Sequence, residues 1–269
     1  GLRIPLNLTT GAFRQQLEVS NTINLRQING YNNITGLGRF IPDSVEVQED
    51  VYVDTYRLRF SEVADGNMIF NNLKFNYYAL LKQSAKDFNP KLGLILNFET
   101  SNTLAGDFTG TISAFNARVY LPGFFKHHSI LLMGSQQRRK FNDNLGLYTF
   151  SNRIFRPRSS YNSNTGKGHI FYNDEKASAF RVNYGLPLLY PDIAFGPLLY
   201  LKRIKLNGFY DYGKSHVVFN HFLQSDLALL ATAQGDIDYT SLGIELTADF
   251  NVVRLRYDLE VGVRFVNAS

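Results

Sequence analysis

The sequence predicts an all-β chain folded as a transmembrane antiparallel β-barrel, and three features carry that prediction. The first is alternation close to the C-terminal end. Val253, Leu255, Tyr257, Leu259, Val261, Val263 and Phe265 are apolar, and Arg254, Arg256, Asp258, Glu260, Gly262 and Arg264 stand between them. Successive strand side chains point to opposite faces, so one face is oily and the other ionic. The second feature is length: such runs exceed the usual strand of about 5–6 residues and reach the roughly 9–11 tilted residues that cross a bilayer. The third lies in the connections, where shorter and longer segments tend to alternate. Outer-membrane barrels keep short turns on one side and long loops on the other.

Strands are expected at 2–8, 13–27, 51–62, 67–83, 92–102, 108–121, 128–140, 145–156, 177–189, 198–213, 237–249 and 253–266, about twelve in all. In the second of these, Arg14, Gln16, Glu18, Ser20, Thr22, Asn24 and Arg26 oppose Phe13, Leu17, Val19, Ile23 and Leu25. Leu73, Phe75 and Tyr77 then oppose Asn72, Lys74 and Asn76. Phe180, Val182, Tyr184, Leu186 and Leu188 oppose Arg181 and Asn183. Further on, Tyr200, Ile204, Leu206 and Tyr210 oppose Arg203, Lys205, Asn207 and Asp211, and Leu242, Ile244 and Leu246 oppose Ser241, Glu245 and Thr247. Thr9-Thr10-Gly11, Ala64-Asp65-Gly66, Ala105-Gly106-Asp107 and Asn142-Asp143-Asn144 read as compact turns. Residues 28–50, 157–176 and 214–236 read as long loops on the outer side. The first strand then descends and the last rises. That parity leads us to expect either at least one further strand on each side of the sequence, about 14–16 in a complete barrel, or one strand too many in this reading, 51–62 first. Residues 1–269 are therefore read as one barrel domain, the C-terminal part of a longer chain.

Composition excludes several classes. There is no cysteine, so neither disulfides nor thiolate metal sites are available. No stretch has the roughly 20 continuous apolar residues of a membrane helix. The net charge of +5 is scattered along one face of each strand, without the basic patch or motif of a nucleic-acid binder. A soluble sandwich or propeller also alternates, but with shorter and more evenly spaced strands. Burial energetics fix the facing. An arginine on the lipid side at mid-bilayer costs about 2–4 kcal/mol, so the ionic face looks into the lumen.

Several motifs in the second half resemble the C-terminal barrel of surface-antigen (Omp85-like) outer-membrane proteins. That superfamily carries an Arg-Gly-Tyr/Phe loop motif, then a strand ending in Pro-Leu, then a strand ending in Asp-x-Gly. Here Arg158-Ser159-Ser160-Tyr161 is followed by Gly185-Leu186-Pro187-Leu188 and by Phe209-Tyr210-Asp211-Tyr212-Gly213. Ser159 and Ser160 stand where the glycine would be. Tyr190-Pro191-Asp192, Gly196-Pro197-Leu198, Asp87-Phe88-Asn89-Pro90, Leu121-Pro122-Gly123 and His127-His128-Ser129 are similar to barrels that close large Bacteroidetes proteins with an N-terminal propeller. The resemblance implies a membrane barrel in a Gram-negative outer membrane. It covers none of the periplasmic modules that accompany insertase activity.

The expected lumen-facing charges are Arg203, Lys205, Asp211, Arg254, Arg256, Asp258, Glu260 and Arg264. Their mixed signs suggest a cross-linked, plugged interior rather than a wide pore, although they would equally line water. Arg156, Arg158 and Tyr161 form the most distinctive loop feature. Either that loop folds inward to carboxylates such as Asp258 or Glu260, or it is an exposed basic loop. His127 and His128 would sit on opposite faces of a strand, which defeats chelation at one centre. His216, His221 and Asp226 lack tight spacing and read as loop residues, as does Gly166-Lys167-Gly168. No nucleophile elbow is present. The expectation is a non-enzymatic barrel without cofactor or metal, an anchor or component of an envelope transport or assembly machine. Its partners would be outer-membrane lipid, lipopolysaccharide and other envelope proteins, not nucleic acid. A passive pore and an outer-membrane hydrolase are the alternatives.

Overall fold

The structure is a computed structural model, and it describes residues 1–29, 41–48, 51–58, 66–84, 87, 89–141, 153–155, 157–158, 176–196, 198–223, 229–252 and 258–268. Every regular element among them is a β-strand. In chain order these are β1 (Leu2–Asn7), β2 (Phe13–Ile28), β3 (Ile41–Gln48), β4 (Val51–Leu58), β5 (Gly66–Leu81), β6 (Gly93–Gly106), β7 (Gly110–Pro122), β8 (Ser129–Phe141), β9 (Lys176–Leu189), β10 (Ile193–Phe195), β11 (Leu199–Leu223), β12 (Leu229–Val252) and β13 (Asp258–Ala268). They form one 13-stranded antiparallel sheet with the order β1-β2-β5-β6-β7-β8-β9-β11-β12-β13. Neighbours in that order are also neighbours in the chain, except where β3, β4 and β10 intervene. A meander of this kind needs only turns between strands, which is why local alternation suffices to specify it.

The sheet curls. β4 lies in the connection between β2 and β5, yet it pairs with the far end of β11, placing Leu58 opposite Asn220 and Thr55 opposite Leu223. At the other end Arg203 of β11 donates to the Asp87 carbonyl, in the β5–β6 connection, at 3.2 Å. Both contacts join parts of the chain separated by several strands in sheet order. The described residues contain no pairing between β1 and β13, which form the two edges of the sheet.

The two faces are inverted relative to a water-soluble protein. On the concave face Ser101, Gln137, Asp211, Ser215 and Asp249 are buried, and so are Arg139 and Lys205. On the convex face Ile4, Phe75, Phe98 and Phe115 are exposed. With Val19 they form one lateral row across five strands, Ile4 opposite Val19, Val19 opposite Phe75, Phe75 opposite Phe98 and Phe98 opposite Phe115. The apolar zone is also slanted. A second row runs Leu94, Val119, Leu132, Val182, Tyr210, Leu242. Leu94 begins the apolar stretch of β6, whereas Leu242 lies at the opposite limit of that of β12. A level band crosses tilted strands in this way, because hydrogen-bonded rows run perpendicular to strands rather than parallel to a membrane plane.

Three expectations about elements need correction. No strand occupies the described part of 145–156: residues 153–155 are irregular, and β8 pairs directly with β9. The rest of that stretch, 145–152 and 156, lies outside the described residues. The segments 28–50 and 214–236 are not simple loops. The first contains β3, paired to β4, and the second is mostly the outer part of the β11–β12 hairpin, paired from Lys214 opposite Asp238 to Phe222 opposite Leu229. Polar residues there resemble a loop, but pairing satisfies their backbones. The three-residue β10 lies in the stretch left unassigned between the expected strands 177–189 and 198–213.

Candidate functional site

Residues 153–155 and 157–158 of the β8–β9 connection lie against the concave face, and two arginines attach this segment to opposite parts of the wall. Arg153 holds the β6–β8 side. Its backbone N–H donates to Gln137 Oε1 at 2.8 Å, Nη2 donates to Ser101 Oγ at 2.8 Å, and Nη1 lies 2.9 Å from Glu99 Oε1. Glu99 also takes Lys74 at 3.0 Å, and Asn116 donates to the Arg153 carbonyl at 3.0 Å. Ile154 is buried beside Ala177 and Tyr239, the small residue on β9 leaving it room.

Arg158 holds the β9–β12 side. Its backbone N–H donates to Asp211 Oδ2 at 2.7 Å, and its Nε lies 3.4 Å from the same oxygen. Its Nη2 donates to Asn183 Oδ1, and its Nη1 sits 3.2 Å from Glu245 Oε1. The guanidinium lies over the Phe209 ring, 3.8 Å from the centroid. Asp211 is fully buried, and its other oxygen accepts from Arg181 Nε at 2.8 Å. Glu245 is shared with Arg264, 2.5 Å away, and accepts from Asn207 at 2.8 Å. A planar guanidinium presents several donors at once, so one arginine can tie three strands where a lysine would tie one or two.

A second charged group lies toward the end of the concave face that carries Asp87, His127 and Lys91. Asp249 pairs with Arg203 at 2.5 Å and Lys205 at 2.6 Å, and Lys205 reaches Glu260 at 3.0 Å. Arg203 continues the chain to the Asp87 carbonyl. The buried Asp87 carboxylate accepts from the Ser84 backbone at 2.9 Å and meets His127 Nδ1 at 2.8 Å, with Lys91 at 4.0 Å. Burial works against ionisation of Asp87. The hydrogen bonds from His127 and Ser84 and the nearby positive charge outweigh it, holding the carboxyl below its usual range.

The sequence-predicted residues divide clearly. Arg203, Lys205, Asp211, Glu260 and Arg264 lie on the concave face and are cross-linked there. Asp258 opens β13 opposite Asn251. Arg254, Arg256, Arg156 and Tyr161 lie outside the described residues. Arg158 does fold inward, but its carboxylates are Asp211 and Glu245. Glu260 belongs to Lys205. His127 and His128 stand in the turn before β8 rather than in a strand, bonded to Asp87 and to the Tyr184 hydroxyl, the latter at 2.8 Å. His216 pairs with Asp236 at 2.8 Å on the outer part of the hairpin, and His221 lies within β11. Asp226 and residues 166–168 are outside the described residues, among which no group of three or more metal-ligating side chains occurs. Sequence reasoning missed Arg153, Glu99 and Asp249. Alternation from Ser101 places Glu99 on the inner face, but nothing in the sequence marks Arg153, which was read as part of a strand.

No family model and no curated protein matches the chain. The geometry of the site therefore stands alone: a strap of irregular chain, ionically attached across the inside of a curled sheet.

Proposed function

We propose that this chain is the membrane-spanning barrel of a Gram-negative outer-membrane protein. It acts as an anchor or structural component of an envelope transport or assembly machine and not as an enzyme. The observation that carries the proposal is the inversion of its faces. Asp211, Gln137 and Ser215 are 0 % exposed, while Leu242, Phe265 and Leu25 are 60 %, 65 % and 75 % exposed. In water this arrangement leaves oily side chains solvated and ionic ones desolvated, both unfavourable. In hydrocarbon the same arrangement is favourable, since the outer face meets lipid and the buried charges Asp211, Asp249 and Lys205 are paired.

Two further features support the reading. The arginine and the aspartate that carry the resemblance to surface-antigen barrels, Arg158 and Asp211, are in contact although 53 residues apart. The strap formed by 153–158 lies across the interior, which favours a closed structural element over an open conduit for solutes. The outer β11–β12 hairpin, with β4 and β3 beside it, extends beyond the apolar zone and offers a surface for partner proteins.

The test is insertion. The purified chain should need detergent, enter phosphatidylcholine vesicles, and there resist protease except in its connections. Val263→Arg, on the outer face, should cost about 2–4 kcal/mol and impair insertion. A monodisperse monomer in detergent-free buffer would refute the membrane assignment. Isolation from native membranes free of any other envelope protein would refute the machine component.

A further inference from the structure

The outer wall carries a groove that the ionic interior does not explain. It lies where β9, β11, β12 and β13 run side by side, with a volume of about 910 Å³. Gly208 forms its floor, with Tyr184 on one side and Ile244 on the other, and Tyr210, which stands between Val182 and Leu242, bounds it along β11.

The floor is open for no backbone reason. Gly208 does not have a positive φ, and a Cβ placed on it would meet no atom within 4 Å. Gly243 beside it is different, because a Cβ there would fall 2.1 Å from the Phe265 carbonyl oxygen and 2.7 Å from the Phe209 ring. Close packing of β12 against β13 and Phe209 therefore demands glycine at 243. At 208 neither packing nor conformation demands it, and glycine is a poor strand former. What a side chain at 208 would remove is the space itself.

The walls are held apart. The Tyr184 hydroxyl is bonded to His128 at 2.8 Å, and its ring stacks on Phe124 with centroids 5.8 Å apart. Tyr184 is thus fixed from the turn below and cannot fold over the floor. Gly208 stands opposite Tyr184 on one side and Ile244 on the other, so the walls rise from strands about 10 Å apart, two strand spacings. Side chains narrow that gap further. A helix with its side chains, about 10–12 Å across, is too wide to enter, whereas a hydrocarbon chain fits.

We propose that this groove is a binding site for one acyl chain of a membrane lipid. The proposal rests on the membrane reading above and adds to it a fixed position on the wall where a lipid is retained. The full chain is inserted into vesicles of dipalmitoyl phosphatidylethanolamine, extracted in mild detergent and weighed by native mass spectrometry. The wild type should retain lipid. Gly208→Val, which fills the floor with a residue favoured in strands, should lose it. Val261→Phe, on the outer face away from the groove, should retain it. Circular dichroism of each variant establishes that the β-fold is intact. A second measurement uses spin-labelled phosphatidylcholine in the same vesicles, where Gly208→Val should lose part of the motionally restricted signal. Equal retention and equal restriction in all three proteins would overturn the site, as would a second protein chain found seated in the groove. Failure of the wild type to enter vesicles would instead overturn the membrane reading.

Discussion

Asp211 is the residue on which the interior depends most. It is fully buried and bonded to two arginines from separate parts of the chain, Arg158 and Arg181. Removing one partner of a buried pair costs about 3–5 kcal/mol, because the remaining charge stays desolvated. Asp211→Ala should therefore lower the urea midpoint in vesicles markedly, whereas Lys214→Ala, in an exposed pair with Asp236, should leave it unchanged. Asp87 sets the pH response at the opposite end. Its carboxyl titrates lower in the folded chain than in the unfolded one, so its contribution is complete above the ordinary carboxylate value of about 3.9 and is lost as pH falls through the folded value. Unfolding midpoints should fall on acidification below about pH 4, and Asp87→Asn should flatten that dependence. Facing as such was legible at this scale. Period-2 alternation put Arg203, Lys205 and Asp211 on one face before any contact was known. Which carboxylate met which base was not legible, since ion-pair choice depends on strand register and on where the connection re-enters.

Among the elements, the 153–158 strap and the β11–β12 hairpin depart most from local expectation. The strap joins β6, β7 and β8 to β9, β11 and β12 through the backbones and side chains of two arginines. An Arg153→Ala, Arg158→Ala double variant should release it, raising single-channel conductance in planar bilayers well above that of the wild type. Unchanged conductance would mean that the strap does not obstruct the interior. The hairpin was read too short because His216, Asn220, Gln234 and Gly235 look like loop residues. Strand propensity is weak beside cross-strand pairing, and β4 supplies a second neighbour from a distant part of the sequence. β10 was invisible for a related reason: three residues carry too little periodicity to be recognised, and only their pairing with Leu199, Tyr200 and Leu201 defines a strand.

For the whole molecule, the governing quantity is the solvent on the convex side. One apolar face per strand, repeated across the sheet with a slant, gives an oily band that water does not favour. The sequence by itself determined the all-β class and the facing of the long strands it recognised, because a strict two-residue period is a local property that survives any arrangement of neighbours. Only the tertiary structure decided that β4 reaches β11, that Arg153 and Arg158 carry a strap across the interior, and that the space over Gly208 stays open. Each depends on how far the sheet curls, which is the cumulative result of twist and stagger over many strands, and no single stretch of sequence encodes that sum.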